Sequence, residues 1–303
     1  MRKSHLFVSC VKDKSLMIMV NVGVHLRDTK GFRQLDKICE DIRGLIGSSW
    51  ELSRIYTGDE FCVNRLPSLT ELNKVCELAE DRNLELTFLT PYLTDWGQET
   101  CSQLLDVLYE KNPSTEVVVN DWGTLVYVQN KYPSFKLALG RLLNKGFKDP
   151  RLQNVDDVFL LSEELAELLN TGTFDSVELQ NSAKVFGFSR MERDLFPYEE
   201  HDQKAVSEIK LSYYFPFGYI TTGRVCLLSS LEAPKNRKFT IQDRCTQPCN
   251  KLHLRMKSKE IPFEIFQGGN TVFYLYTKPM LELLVTRAEL DKARLVYQGQ
   301  AIP

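Results

Sequence analysis

Through the first half of the chain, short apolar runs alternate with segments whose apolar residues recur every three to four positions. That succession predicts strands alternating with amphipathic helices. SLMIMVNVG reads as a strand, and GFRQLDKICEDIRGLI follows it with Leu35, Ile38, Cys39, Ile42, Leu45 and Ile46 on one helical face. ELSRIYTG is the second strand. In PSLTELNKVCELAEDRN, Ser68 and Glu71 have the spacing of a capping box ahead of a buried stripe formed by Leu72, Val75, Cys76 and Ala79. LELTFLTPYL then reads as a strand and QETCSQLLDVLYEKN as a helix that carries Cys101 beside Leu104, Leu105 and Leu108. EVVVND is a further strand, GTLVYVQNKYP a short helix and FKLALG another strand.

Beyond Arg141 the succession is harder to follow. The region 141–176 is polar and mixed, with one clear helix, SEELAELLN, ended by Gly172, and SVELQ as an expected strand. IKLSYYFPFGYI, VCLLSS, LHLRM and TVFYLY all have β character. Repeated βα units predict a parallel barrel or a doubly wound sheet. No Pro/Gly/Ser linker divides the chain, so a single α/β, TIM-barrel-like domain over 1–303 is expected, irregular in its second half, with a cysteine-rich segment at 220–255.

Composition narrows the classes of function. A chain of 303 residues that is 43% hydrophobic can bury one large core. Its net charge of -2 supplies no global attraction to a phosphate backbone, and no basic patch stands out as a nucleic-acid site. The first apolar stretch is interrupted by Lys12, Asp13 and Lys14, too broken for a signal peptide and too short for a membrane span. A cytoplasmic protein is therefore expected, in which cysteines are kept reduced. His5, His25, His201 and His253 are scattered, and no H-E-x-x-H, G-x-S-x-G, Walker or G-x-G-x-x-G motif is present. The acidic run 198–202 reads as a solvated loop.

The cysteines carry the candidate chemistry. Cys39, Cys76 and Cys101 fall on helical core faces and Cys10 in an apolar strand, where a free cysteine packs as a small hydrophobe. Cys226-x18-Cys245-x3-Cys249, within GRVCLLSSLEAPKNRKFTIQDRCTQPC, gathers three thiols in one loop-rich segment. Thiolates are soft ligands that suit iron-sulfur clusters and zinc. Cys62, in RIYTGDEFCVNR just beyond a predicted strand, is the candidate fourth ligand. A structural zinc site usually shows paired C-x2-C knuckles, whereas the close pair here is spaced by three residues. Asn120 and Asp121 also follow a strand and could face a substrate or cap the next helix. Arg141 could bind a carboxylate or phosphate, or form a structural salt bridge. Tyr213, Tyr214, Phe215, Phe217 and Tyr219 could line a substrate pocket, with core packing the better expectation.

The pieces G-R-x-C-L-L-S and C-x-Q-P-C resemble the cysteine signature of the collagenase-like peptidase family U32, whose peptidase mechanism is unknown. NDWGTL, LGRLLNK and DPR are similar to phrases of that family's barrel, and IYTGDEFCVNR resembles the segment that supplies an early cysteine in its UbiV-like branch. The resemblance covers most of the chain. It implies a 4Fe-4S cluster held by Cys62, Cys226, Cys245 and Cys249, serving as an electron relay. It also implies a part in oxygen-independent ubiquinone hydroxylation, or a related redox modification of a small molecule, beside a second, UbiU-like member of the family. Two features depart from the pattern: a longer spacing from Cys226 to Cys245, and Asn250 where peptidase-type members usually have Arg. The alternatives are a peptidase and a non-enzymatic partner subunit holding an iron-sulfur cluster or a structural zinc.

Overall fold

The alternating apolar runs form the staves of a closed barrel. The computed structural model describes residues 19–27, 33–149, 171–197, 209–241 and 245–299. The helix expected at 162–170, the acidic run 198–202, Cys10 and His5 lie outside them. The barrel strands are β1 (Val20–His25), β2 (Trp50–Gly58), β3 (Glu85–Leu89), β4 (Glu116–Val119), β5 (Lys136–Leu139), β6 (Phe188–Arg193), β7 (Lys210–Phe215) and β12 (Arg294–Tyr297). Their order around the barrel is β1-β12-β7-β6-β5-β4-β3-β2, and every neighbouring pair is parallel. Closure is made by β12, whose Leu295, Val296 and Tyr297 stand opposite Val22, Gly23 and Val24 of β1.

Helices α1 (Leu35–Ile46), α2 (Leu69–Asp81), α3 (Asp95–Lys111), α4 (Trp122–Lys131), α5 (Val177–Val185) and α7 (Lys278–Leu290) follow barrel strands or precede them, as βα units require. The predicted capping box is present: Glu71 N donates to Ser68 Oγ at 3.3 Å, and Ser68 N donates to Glu71 Oε2 at 2.8 Å. Leu72, Val75, Cys76 and Ala79 of α2 are buried, as are Leu35, Ile38 and Ile42 of α1. Cys76 and Cys101 are core residues, and Cys39 is half-buried. A buried side chain of this size contributes about 1.5–3 kcal/mol, so each helix is held mainly by its stripe.

Two segments differ from expectation. SVELQ is the start of α5 and not a strand, because Ser176 accepts from Leu179 N at 3.3 Å and so caps a helix. VCLLSS is not a strand either: α6 (Leu227–Glu232) begins there, with Cys226 as its cap and Ser230 Oγ donating back to Cys226 O at 2.8 Å. Between β7 and β12 the chain builds a second, antiparallel sheet, ordered β8-β11-β10-β9 from β8 (Phe217–Thr222), β9 (Leu254–Met256), β10 (Ile265–Gly268) and β11 (Thr271–Leu275). The cysteine-rich segment at 220–255 runs from the end of β8 through α6 to β9.

The barrel interior is partly ionic. Tyr56, Leu89, Val118, Ala138, Tyr214 and Val296 pack together inside it, while Glu116 is met by Arg294 at 2.6 Å, Arg190 at 3.4 Å and Arg54 at 3.7 Å. Burial alone would raise the Glu116 carboxyl, but those three guanidiniums outweigh it and hold it down at about 2. Glu192 is fully buried and has no guanidinium within ion-pair distance among the described residues. Tyr56 OH donates to its Oε1 at 3.4 Å, its Oε2 has no hydrogen bond among the described residues, and burial pushes its carboxyl up to about 7.

Candidate functional site

The functional end of a parallel barrel is formed by the loops after its strands, and here the loop after β2 carries Cys62. Gly58 ends the strand, and Asp59 Oδ1 then accepts from both Phe61 N and Cys62 N at 2.9 Å, folding the chain into a turn that presents Cys62. Arg65 Nε stands 3.3 Å from Asp59 Oδ2, inside the same turn. Burial would raise the Asp59 carboxyl, but Arg65 and Arg27 bring it below its ordinary value.

The antiparallel sheet carries the other three cysteines to this loop. Asn270, at the turn between β10 and β11, donates from Nδ2 to Phe61 O at 2.6 Å and to Gly223 O at 2.7 Å, joining the β2 loop to the end of β8. Gln247, in a left-handed conformation, donates from Nε2 to Asn64 O. Cys62, Cys226, Cys245 and Cys249 consequently line one small cavity of about 30 Å³ with Asn64, Arg65 and Gly269. The other described cysteines, Cys39, Cys76 and Cys101, are not part of it.

The sulfurs are already engaged by donors. Ser229 N donates to Cys226 Sγ at 3.4 Å, Gln247 N to Cys245 Sγ at 3.3 Å, and Arg65 Nη1 to Cys249 Sγ at 3.9 Å. Gly269 takes φ of +68°, a left-handed conformation that favours glycine, and packs in ordinary contact with Cys249. Burial pushes the Cys62 thiol up to about 12, with Asp59 adding to it, and burial also raises Cys249. Thiols so placed resist ionisation unless a cation takes up the charge. Among the described residues no three His, Cys, Asp or Glu side chains converge closely enough to share a single metal ion.

The remaining candidates have structural roles. Asp121 caps α4, accepting from Thr124 N at 2.8 Å. Asn120 is buried, donates to Thr90 O at 2.8 Å and accepts from Leu142 N at 3.1 Å. Its side chain fills the space a β-carbon on Gly140 would need, which ties β4 to β5 at their carboxyl ends. Arg141 is fully buried in a salt bridge with Glu60 and in another with Asp194 at 2.7 Å, and it also donates to Gln298 Oε1 at 3.2 Å. Its guanidinium carbon lies 3.6 Å from the Tyr214 ring centroid. Asn120, Asp121 and Arg141 are thus committed to the scaffold beneath the mouth.

No protein-family model matches the sequence, and no curated protein matches it. Among solved structures, the U32 peptidase Mk0906 superposes with a TM-score of 0.44 at 13% identity, covering 95% of this chain and 96% of that one. A glycoside hydrolase family 18 N-acetylglucosaminidase from Paenibacillus barengoltzii gives 0.36 at 8% identity, covering 94% and 96%. These are likenesses of general shape.

Several residues of the mouth escape a reading of the sequence. Glu60, Asp194 and Lys148 complete the Arg141 cluster, with Lys148 Nζ 2.8 Å from Asp194 Oδ2. The Asp59-Glu60 pair directly after β2 was a usable signal. Asp194 and Gln298 also follow barrel strands, β6 and β12, which the hydrophobic pattern does not mark. Of the aromatic set, Tyr213, Tyr214, Phe215 and Phe217 are core, and Tyr219 is buried while also lining a second, larger cavity of about 310 Å³ beside the thiols.

Proposed function

We propose that the four thiols hold a 4Fe-4S cluster and that the chain works as a redox component in oxygen-independent modification of a small molecule, of the kind the UbiV-like branch of the U32 family carries out with a UbiU-like partner. The observation that carries this reading is the single cavity shared by Cys62, Cys226, Cys245 and Cys249 at the carboxyl end of the barrel. Four thiolates are the complete donor set of a cubane. Zinc at about 2.3 Å from each sulfur would draw four thiolates to about 3.8 Å of one another, and among the described residues no three such side chains stand close enough to share one ion.

When bound, such a cluster would supply one-electron transfer. The chain's own part is to hold and shield. Asp59 and Arg65 set the Cys62 turn, Asn270 and Gln247 fasten the two ligand-bearing segments together, and Ser229 N, Gln247 N and Arg65 donate to sulfur, which tunes the potential of a thiolate-held group. His25, at the end of β1, offers the peptidase alternative no ready base: it is buried, donates to Gly58 O at 2.9 Å, and burial pushes its ring down to about 3.

Anaerobic purification followed by iron, acid-labile sulfide and zinc analysis tests the reading. Iron and sulfide in equal amounts are expected, and zinc without sulfide would overturn it. Cys62→Ala and Cys226→Ala should each lose the cluster. Full iron retained in Cys62→Ala would remove that residue from the ligand set. Copurification of a second family member would favour the partnered form.

A further inference from the structure

The larger cavity shares Cys62, Asn64, Arg224 and Asn270 with the thiol cavity, so the two are neighbours with a common wall. At about 310 Å³ it falls at the lower end of the range of pockets that take small organic ligands, about 300–1,000 Å³. Its walls and its charge both restrict what could occupy it.

Tyr92, Trp96 and Tyr219 line it, and the first two are large aromatics 42% and 38% exposed to solvent. Rings left open at the rim of a concavity offer flat contact area to a flat ligand. The cations lining it are Lys145, Lys148 and Arg224, and no Asp or Glu is among the described lining residues. Lys148 is compensated, bound to Asp194 at 2.8 Å and poised 3.7 Å from the Tyr219 ring centroid. Lys145 and Arg224 have no carboxylate within ion-pair distance among the described residues, and Arg224 instead lies 5.2 Å over the Tyr92 ring. Both are exposed, and a neutral apolar ligand seated against two cations that have no such partner among the described residues would take water from them without returning any charge, which is unfavourable. A ligand with an acid group would complete them.

We infer that this cavity binds a planar ring carrying a carboxylate or a phosphate, with the ring against Tyr92, Trp96 and Tyr219 and the acid group met by Lys145 and Arg224. The chain's net charge of -2 gives a nucleic-acid strand no general attraction, and a volume of about 310 Å³ suits one small molecule. The assignment rests on the cavity and its charges, not on which group the thiols hold. It names the class of small molecule that the redox reading requires and places that molecule against the wall formed by Cys62.

The test is ligand-observed NMR on the full chain with three probes: benzoate, phenyl phosphate and neutral benzamide. Iron and sulfide are assayed on the same samples, so a failure of the cluster reading shows separately. At least one acid should bind in the millimolar range or tighter and benzamide at least about tenfold more weakly, and whichever acid binds better identifies the carboxylate or the phosphate as the natural group. Lys145→Ala, which lies outside the thiol cavity, should weaken acid binding severalfold, and the Lys145→Ala/Arg224→Ala double variant about tenfold, as loss of two charge contacts predicts. Acid binding unchanged in both variants, benzamide binding as tightly as benzoate, or no binding by any probe at millimolar concentration would overturn the inference.

Discussion

Arg65 joins two partners that the sequence holds far apart: its Nε is 3.3 Å from Asp59 Oδ2 and its Nη1 is 3.9 Å from Cys249 Sγ. One guanidinium therefore braces the turn that presents Cys62 and supplies positive charge to a thiol from the late segment. Arg65→Gln should destabilise the fold by roughly 3 kcal/mol, because removing one partner of a buried pair leaves a desolvated carboxylate. Urea unfolding measures it, and Arg65→Lys should recover only part, since a point charge cannot span both partners.

Asn270 performs a comparable task without charge. Asn270→Ala strips donors from Phe61 O and Gly223 O; water can replace the exposed bond to Gly223 O, so a loss of about 1 kcal/mol is expected, from the part-buried Phe61 O. If the thiols hold a cluster, iron content should fall in the same variant while the circular dichroism of the barrel is kept. An unchanged melting temperature would show that the bridge is dispensable.

Arg141 was open to a ligand-binding role, and the structure makes it a keystone of the scaffold. Arg141→Met should cost about 3–5 kcal/mol, since Glu60 and Asp194 would both lose a buried counter-charge. The double change Arg141→Met/Glu60→Gln should recover part of that loss in equilibrium unfolding, a coupling that independent sites would not show.

Stability in acid should follow Glu116. Its carboxyl is depressed to about 2 from the ordinary 4.5, so its contribution is complete above about pH 4.5 and is lost as the pH falls toward 2. The size is about 3 kcal/mol. Urea midpoints measured downward from pH 5 should decline through that window, and a flat profile would contradict the ionic interior.

Glu192 has the opposite sign. With its carboxyl raised to about 7, its contribution is complete below about pH 4.5 and is lost as the pH rises through 7. Glu192→Gln mimics the protonated form. The variant should match the parent near pH 4.5 and exceed it by up to ~3 kcal/mol at about pH 8, so parallel stability curves for the two proteins would rule out a proton held on Glu192.

These ionic residues also explain where the sequence becomes hard to read. β1 to β5 follow from apolar runs because their neighbours are helices with clean stripes, three of them capped by Ser68, Thr94 and Asp121. β6, FSRMER, hides because Arg190 belongs to the Glu116 cluster and Glu192 is buried beside Tyr56, both within the barrel interior. An apolar-inward pattern fails when the inward face is charged. VCLLSS fails for another reason: a run this short does not separate helix from strand, and the hydroxyls that bond back to Cys226 O decide for helix. Helical periodicity sets Cys39, Cys76 and Cys101 aside, and the expectation that Cys62 joins Cys226, Cys245 and Cys249 comes from its place after a strand and from the family resemblance, whereas the braces Arg65 and Asn270 are not legible, since their partners lie far away along the chain.

The insertion of the antiparallel sheet between β7 and β12 also sets an order of events during synthesis. Cys62 leaves the ribosome with the second strand, long before the three thiols that share its cavity, and the barrel cannot close on β1 until β12 has followed them. A chain unfinished before Asn270 therefore lacks part of the lining of the thiol cavity. Whatever occupies it meets a chain already made at least as far as Asn270, so filling the cavity comes after the synthesis of every segment that lines it.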